Sequence, residues 1–361
     1  MSASVSDSEN RYPPADRGWH LAAIALLAVR FVQGWIYWGG GSRRFIYGPQ
    51  KLDVHGHWMA YKFQTAMPGA LLGTDRLVAF LLHHFTLLYL GVIVFSAVEL
   101  IAGLMLITGF LTRLAALATI GLSFVLMLLF GWQGATCIDE WTMASANFAM
   151  GVTLFLAGSG AYSIDGWFLR KRPQWQSAGF FRWFGGALPL PLAEGSYKRL
   201  ALALFWITVV FVVATYDYYR GSVVTAFHGG PVSPAKHHWQ LGQGRLLQDG
   251  TVIFHAYVDA GTAAEPSNVL FVTLYDPQGK VVERWDSQAL SSLGAKAFQN
   301  DFPYQKIHAG PFGLTGPVGA SAELRLPGRL PTASTLPPGD YRLELRSVNG
   351  HLWSLSIHYG G

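Results

Sequence analysis

Two ionisable residues, Arg30 and Glu99, lie inside long apolar stretches of this sequence. A charge at the centre of a bilayer costs about 3 kcal/mol or more, so such residues usually face a neighbouring helix and pair. Counted from the ends that adjoin the first loop, they lie at depths of roughly 13 Å and 21 Å. The long Arg30 side chain can span this offset, so we predict an Arg30–Glu99 pair. Two readings stay open: a pair that fixes helix packing, or a proton-carrying or quinone-contacting group.

The segment between the first two apolar stretches, residues 39–83, is basic and rich in aromatic residues. Its charged side chains are Arg43, Arg44, Lys51, Asp53, Lys62, Asp75 and Arg76. Fixed cations and N–H donors can replace the hydration shell of a small anion. Arg43 and Arg44, together with Arg30, are therefore candidate ligands of an anionic substrate. The alternative is that these side chains are solvated surface charges.

The same segment contains His55 and His57, separated by one residue. Two imidazoles without a clear carboxylate partner are weak evidence for a zinc site, because such sites use three or four ligands. We therefore predict no metal and count both histidines among the candidate substrate contacts.

The only cysteine of the chain, Cys137, lies in the short segment GWQGATCIDEW, residues 131–141, close to Asp139 and Glu140. A single cysteine excludes an internal disulfide and a four-cysteine metal site. A thiol reacts as the thiolate, which nearby cations stabilise and the two neighbouring carboxylates disfavour. Cys137 is thus a candidate nucleophile, and the alternative is a small buried apolar residue.

Five apolar stretches must position these residues, and each is long enough to cross about 30 Å of hydrocarbon. They cover residues 20–38, 85–107, 114–132, 141–156 and 200–216. The composition agrees, since 51% of residues are hydrophobic and 13% are charged, against about 25% charged in soluble chains. These values exclude a disordered chain, a coiled coil and an ordinary cytosolic enzyme. The net charge of +5 is spread along the chain, which argues against a nucleic-acid partner.

The basic cluster Arg170–Arg172 follows the fourth apolar stretch directly. Since Lys and Arg are enriched in cytoplasmic loops, this cluster predicts that the amino terminus lies in the cytoplasm. Five crossings then place segments 39–83 and 131–141, and everything after Arg220, on the outer face of the membrane.

After Arg220 the pattern changes to short alternating or apolar runs such as TVIFHAYVDA and NVLFVTLYD. Turn signals such as DPQG and PPGD separate these runs. The pattern predicts an all-β domain of the immunoglobulin-like sandwich type. Its histidines, among them His255, are assigned by default to the core or the surface.

The motifs VRFVQGWIYWGGGSRR, VELIAGLMLITGFLTRLAAL and GWQGATCIDEW resemble the DoxD large subunit of thiosulfate:quinone oxidoreductase, within the wider DoxX-like family of four-helix membrane proteins. The later motifs FPYQKIHAGPFGLTGPVGASAELRLP and LPPGDYRLEL resemble the DoxA small subunit. Together the two resemblances span nearly the whole chain. Their occurrence in one chain is far more specific than the first resemblance alone.

Together with the strand pattern, the resemblance implies a membrane all-α four-helix bundle (DoxX-like), a fifth transmembrane helix and an all-β immunoglobulin-like sandwich. The predicted boundaries are 1–175 for the DoxD-like domain, 176–197 for an interfacial linker, 198–219 for the fifth helix and 220–361 for the DoxA-like extracytoplasmic domain. The implied location is the cytoplasmic (inner) membrane of a prokaryote.

The resemblance also implies an activity, the oxidation of two thiosulfates to tetrathionate on the outer face with transfer of two electrons to a membrane quinone. Quinone is the implied electron acceptor, and neither a metal nor a flavin is expected. The implied partners are thiosulfate, quinone and the lipid bilayer, while a second copy of the chain and a terminal oxidase stay open.

Residues are assigned to this reaction as hypotheses. The assigned residues are Arg30, Arg43, Arg44, His55 and His57 for thiosulfate, Cys137, Glu99, Asp139 and Glu140 for catalysis, and Glu99 and Trp38 for quinone. Cys137 would form a transient Cys–S–SO₃⁻ adduct that a second thiosulfate resolves by sulfur exchange. The acidic residues would relay protons.

Two other functions compete with this one. The first is a non-catalytic membrane anchor whose outer sandwich binds a partner, because a fold does not determine a function. The second is a thiol–disulfide helper, against which the lack of a second cysteine counts.

Overall fold

The structure is a computed structural model, and it describes residues 14–47, 58–133, 140–160, 162–219, 221, 237–261, 263, 265–328 and 336–360. Its α-helices are α1 (Pro14–Ala25), α2 (Leu27–Ser42), α3 (Trp58–Ala66), α4 (Thr74–His83), α5 (Phe85–Thr108), α6 (Thr112–Phe130), α7 (Glu140–Ala157), α8 (Ile164–Lys171), α9 (Gly179–Phe184), α10 (Glu194–Tyr219) and α11 (Ser287–Ser291). Its strands are β1 (His238–Leu246), β2 (Val252–Ala260), β3 (Ser267–Tyr275), β4 (Val281–Trp285), β5 (Phe298–Asn300), β6 (His308–Gly310), β7 (Gly313–Gly316), β8 (Ser321–Leu326), β9 (Gly339–Ser347) and β10 (Leu352–Tyr359).

Three helices among the described residues, α5, α6 and α10, are long and apolar enough to cross a membrane. They contain 24, 19 and 26 residues, and about 20 residues suffice to span the hydrocarbon. These helices coincide with the second, third and fifth predicted spans, and they indicate a membrane protein.

The helices that cover the first and fourth predicted spans are not among the three that are long and apolar enough to cross a membrane. The first span is divided at Leu26 into α1, with 12 residues, and α2, with 16 residues. The fourth span forms α7, an 18-residue helix whose buried residues include Ser145 and Asn147. Five membrane-spanning helices, four of them in a bundle, therefore remain a prediction, of which three helices are found as candidate spans.

The chain divides into two compact units. The first comprises Met1–Gly56, Tyr89–Met127 and Thr142–Thr215. The second comprises His57–Leu88, Leu128–Trp141 and Tyr216–Gly361. The second unit thus contains α3 and α4 from the predicted first loop in addition to the β-strands.

Close contact between α2 and α5 organises the first unit. A Cβ atom at Gly103 of α5 would lie 2.3 Å from the backbone nitrogen of Trp38, and one at Gly41 would lie 2.7 Å from Leu100. Only glycine permits this approach, because any side chain would overlap the facing backbone. The contact explains why α2 continues through the glycine-rich GGGS segment to Ser42, although each glycine costs a helix about 1 kcal/mol.

An antiparallel β-sandwich forms most of the second unit, as the sequence predicted. One sheet has the strand order β1-β2-β8-β5, and the other has the order β10-β9-β3-β7-β6, with β4 paired to β3. Side chains alternate between the two faces of a strand, and in β9 Tyr341, Leu343 and Leu345 are fully buried. Trp239 and Trp285 fill the space between the sheets and are also fully buried.

Candidate functional site

An ion pair between Arg44 and Glu99 lies in the first compact unit. Arg44 belongs to the π-helical turn Arg43–Tyr47 that follows α2, and Nη1 pairs with Glu99 Oε2. The same nitrogen donates to Ser96 Oγ at 3.2 Å. The side chains of Arg44 and Glu99 are only 17% and 13% exposed. Glu99 lies about 21 Å along α5 from its first residue, so the pair is placed well inside a helix that can span the membrane.

Arg30 is not the partner of Glu99, and the predicted Arg30–Glu99 pair is wrong. Arg30 Nη1 donates to the carbonyl oxygen of Ser159 at 2.9 Å, and Nη2 donates to that of Tyr162 at 2.8 Å. Both carbonyls follow the carboxyl end of α7, where the helix dipole favours a cation. The charge of Arg30 is therefore accommodated by backbone oxygens near this helix end.

Buried polar side chains occupy the α2 face between these two arginines, and the sequence analysis did not assign them a role. Gln33 Nε2 donates to the carbonyl oxygen of Asn147 at 2.7 Å and to Thr119 Oγ1 at 3.3 Å. The Tyr37 hydroxyl lies 3.1 Å from the carbonyl oxygen of Thr119 and 2.8 Å from Ser123 Oγ. The spacing of these residues in α2, three and four positions apart, was the signal that could have found them.

The predicted quinone contact Trp38 and the predicted thiosulfate ligand Arg43 lie at the end of α2. Trp38 is partly buried, and its ring centroid is 4.8 Å from that of Trp35. Arg43 is exposed, whereas Arg44 beside it is engaged with Glu99. Neighbouring arginines that seemed equivalent in the sequence thus have different surroundings.

A second ion pair, in the second compact unit, involves the predicted residue Glu140. Glu140 is the first residue of α7, and its Oε1 atom is 2.6 Å from Lys62 Nζ of α3. The ammonium also lies 4.9 Å from the ring centroid of Phe130. In the sequence Glu140 follows Cys137 by three positions.

Four predicted site residues, His55, His57, Cys137 and Asp139, lie outside the described residues. In the part of the chain that the structure describes, no three His, Cys, Asp or Glu side chains are grouped so that they could hold a metal ion.

Helix α3 is attached to the sandwich through Gln64, which is fully buried. Gln64 Nε2 donates to the carbonyl oxygens of Gln305 and Gly319, both at 2.9 Å. Its Oε1 atom accepts from the Gln305 amide at 2.8 Å. The helix is also bonded to the turn after α6, because Trp132 Nε1 donates to the carbonyl oxygen of Ala66 at 2.9 Å. The predicted first loop is therefore helical here and packed against the sandwich.

A cleft of about 630 Å³ lies where the end of α3 and the start of α4 face the sandwich. It is lined by Asp75, His255 and Ser321, and by Gln243, whose φ of 53° is unusual for a residue with a side chain. His255 Nε2 lies 2.9 Å from Asp301 Oδ2, and Ser321 donates to the same carboxylate oxygen. Asp75 in the lining, together with Asp301 bound to His255 and Ser321, makes this cleft a poor receptor for a dianion.

Asp165 of α8 connects three backbone segments of the first unit. It accepts hydrogen bonds from the amides of Leu111 at 2.8 Å, Thr112 at 3.3 Å and Gly186 at 2.7 Å. Burial raises the pKa of the Asp165 carboxyl, and the three amide hydrogen bonds oppose this rise. These contacts give Asp165 a structural role.

Two family models match this chain. Residues 25–190 match the DoxD model, described as TQO small subunit DoxD. Residues 219–356 match the DoxA model, described as TQO small subunit DoxA. Both descriptions contain the words small subunit, whereas the motif resemblance assigned the first half to the large subunit.

Proposed function

The chain joins a member of the DoxD family and a member of the DoxA family in one polypeptide, and from this premise we propose that it oxidises thiosulfate to tetrathionate and reduces a membrane quinone. The observation that carries the proposal is the presence of both families of TQO subunit, thiosulfate:quinone oxidoreductase, in a single chain. The helices α5, α6 and α10 provide the membrane setting in which a quinone would be met.

The sulfur step that we propose keeps both sulfur atoms of thiosulfate, because tetrathionate contains four. The Cys137 thiolate and the outer sulfur of thiosulfate lose two electrons and form Cys–S–S–SO₃⁻. A second thiosulfate attacks the sulfur next to Cys137, which releases tetrathionate and restores the thiolate. The simpler adduct Cys–S–SO₃⁻ lacks one sulfur and cannot lead to tetrathionate in this way. Quinone takes up the two electrons and two protons as quinol.

The different surroundings of Arg43 and Arg44 suggest a division of roles. Arg43 is exposed and is the proposed cation for thiosulfate, with His55 and His57 as further candidate contacts. Arg44 holds the carboxylate of Glu99 inside the helical unit, where Glu99 is the proposed proton donor to quinone. Trp38, at the end of α2, is the proposed aromatic contact for the quinone ring.

Glu140 and Asp139, next to Cys137 in the sequence, are the proposed acceptors of the Cys137 thiol proton, since the thiolate is the reactive form. The Lys62–Glu140 pair places a cation beside the start of α7, and such a cation would favour both a thiolate and a dianion nearby.

The attachment of α3 to the sandwich supports the proposed topology. Because Gln64 of the first loop bonds to backbone groups of the sandwich, both segments must lie on the same side of the membrane. The basic cluster Arg170–Arg172 marks the opposite, cytoplasmic side under the positive-inside rule. We therefore propose that the first loop and the sandwich face the extracytoplasmic side of the cytoplasmic membrane.

An anaerobic assay of the purified protein in detergent tests the function. Thiosulfate and a short-chain quinone are added, and quinol and tetrathionate are both quantified. We expect equal amounts of the two products in the wild type, loss of turnover in Cys137→Ser and Glu99→Gln, and a raised KM for thiosulfate in Arg43→Gln. Lys198→Gln, in an exposed pair with Glu194, is the control and should keep full turnover.

Different outcomes of the assay separate the hypotheses. Full turnover of Cys137→Ser would contradict the covalent step and leave direct transfer between thiosulfate and quinone. A folded wild-type protein that forms no quinol with thiosulfate would contradict the proposed function, and the anchor with a partner-binding sandwich would replace it.

A further inference from the structure

Six buried polar side-chain atoms of the first compact unit have no hydrogen-bond partner within the described protein. They are Arg30 Nε, Gln33 Oε1, Thr112 Oγ1, Ser145 Oγ, Asn147 Oδ1 and Ser159 Oγ. Leaving such an atom without a partner is costly, and buried atoms of this kind are usually bonded to ordered water. Their concentration in one compact unit therefore points to ordered water within it.

The orientation of the two amides is determined by their other contacts. Gln33 Nε2 must face the carbonyl oxygen of Asn147, because that oxygen only accepts hydrogen bonds. Asn147 Nδ2 must likewise face the carbonyl oxygen of Met143, at 2.9 Å. Exchanging nitrogen and oxygen in either amide would bring two acceptors together. Gln33 Oε1 and Asn147 Oδ1 are thus both directed away from these contacts, and both need a hydrogen-bond donor.

These atoms and the Tyr37 hydroxyl are a set of buried polar groups in the first compact unit, which we call the polar column: Thr112, Ser159, Arg30, Gln33, Asn147, Ser145 and Tyr37. At one end Ser159 binds Arg30 through its carbonyl, and Ser159 and Thr112 both lie against Gly186. In the middle Gln33 binds Asn147.

At the other end, the polar column lies one helical turn of α2 from the contact with Glu99. Tyr37 is one helical turn before Gly40, and a methyl group at Gly40 would lie 3.5 Å from Glu99 Oε2. Arg30 and Tyr37 are about 10 Å apart along α2. The column residues Arg30, Gln33 and Tyr37 and the contact with Glu99 therefore follow one another along α2.

Burial limits the size of the ligand. Gln33 is 0% exposed and Asn147 is 3% exposed, so a quinone ring could not reach their oxygens from the lipid. Water is small enough, and it supplies the O–H donors that two carbonyl oxygens require. A file of water molecules between hydroxyls and amides can also pass protons.

We propose that the polar column is a hydrated path that brings protons from the end at Thr112 and Ser159 to Glu99. The inference rests on the proposed function, since reduction of one quinone by two electrons consumes two protons. The protons of the quinol would then come from the cytoplasmic side, which the cluster Arg170–Arg172 marks. Thiosulfate oxidation itself releases no protons, so the reaction would consume protons on one side only.

Hydroxyl-radical footprinting with X-ray pulses tests the hydration, whatever the activity, because radicals form from water bound beside a side chain. We expect oxidation of Tyr37, although it is 7% exposed. The internal control is Tyr341, which is fully buried in the sandwich and donates to the carbonyl oxygen of Pro337. Protection of Tyr37 equal to that of Tyr341 would overturn the proposal.

Proteoliposomes test the direction of proton uptake. Thiosulfate added outside does not cross lipid, so it selects molecules whose sandwich faces outward. With a pH dye in the lumen and valinomycin present, we expect two lumenal protons to disappear per quinol. Proton uptake from the outer medium would overturn the proposed direction. No quinol at all would contradict the proposed function, and the footprinting result would still decide the hydration.

Paired variants of α7 test the path itself. Asn147→Leu should slow quinol formation at least tenfold and leave the KM for thiosulfate unchanged. Thr153→Val is the matched control, because Thr153 is exposed on the same helix and bonds only to its own backbone. An undiminished rate in a folded Asn147→Leu protein would overturn the path. If that variant does not fold, Ser145→Ala, which removes only one hydroxyl, takes its place with the same criterion.

Discussion

Two glutamines are fully buried in the part of the chain that the structure describes, Gln33 and Gln64, and they lie in different compact units and have opposite surroundings. Gln64 uses both its nitrogen and its oxygen in hydrogen bonds to the backbone of Gln305 and Gly319. Gln33 uses only its nitrogen, and its oxygen has no partner in the described protein. The same type of side chain at the same burial thus joins two segments at Gln64, whereas at Gln33 it leaves one oxygen without a hydrogen-bond partner in the described protein.

The comparison distinguishes buried polar groups that hold the fold together from buried polar groups that serve binding or transport. A polar group that only holds a fold together is normally satisfied completely, because an unsatisfied one lowers stability. Orphaned atoms persist where binding or transport requires them, or where water completes the network. By this criterion the attachment of α3 to the sandwich is structural, and the orphaned atoms of Arg30 and Gln33 on α2 agree with the proposed hydrated path.

The largest expected effect on stability is in the first compact unit, at the ion pair between Arg44 and Glu99. Glu99→Leu leaves the Arg44 guanidinium buried without its carboxylate, which should lower the free energy of unfolding by about 3–5 kcal/mol. The measurement is unfolding by SDS titration in mixed micelles. The double variant Arg44→Leu/Glu99→Leu should recover much of the loss, and a double variant as unstable as the single one would contradict this account.

The second largest effect on stability is expected in the second compact unit, at Gln64. Gln64→Leu leaves two carbonyl oxygens and one amide of the sandwich segment without partners, so we expect a loss of about 3 kcal/mol. The same titration measures it. Gln299→Leu, at an exposed position of β5, is the control and should change stability by less than about 0.5 kcal/mol. Equal losses in the two variants would remove Gln64 from its structural role.

A smaller effect should follow from Gln33→Leu, and it is the sharpest test of the comparison. This change removes one orphaned oxygen, and the two acceptors of Gln33, the carbonyl oxygen of Asn147 and Thr119 Oγ1, keep hydrogen bonds within their own helices, so we expect a loss of only about 1 kcal/mol. Quinol formation should nevertheless fall at least tenfold. A loss of stability as large as that of Gln64→Leu, with an unchanged rate, would reverse the roles of the two glutamines.

The smallest effect should come from the partly exposed pair Lys62–Glu140. Lys62→Ala should lower stability by about 0.2–1 kcal/mol, since both side chains remain accessible to water. The loss should shrink as salt is added, because ions screen exposed charges. Lys198→Ala, at a far more exposed pair, serves as the reference and should cost still less. A salt-independent loss above 2 kcal/mol would mean that Lys62 acts mainly through packing on Phe130.

The sequence by itself determined the membrane character, the sandwich and the family. Apolar runs of about 20 residues predict membrane helices because the bilayer has a known thickness. Short alternating runs between turn signals predict strands because successive side chains of a strand point to opposite faces of the sheet. The motifs of the two halves indicated both families, and the family models confirmed them.

Only the tertiary structure decided which arginine meets Glu99. Counting from the ends of apolar runs favoured Arg30, because the glycine-rich segment after Trp38 was interpreted as a loop. The close approach at Gly41 and Gly103 instead extends α2 past that segment, and Arg44 arrives beside Glu99. The sequence could not predict the attachment through Gln64 either, since the partners of Gln64 are 241 and 255 positions away in the chain. Pairing between distant segments depends on helix packing and backbone proximity, which no local pattern of residues contains.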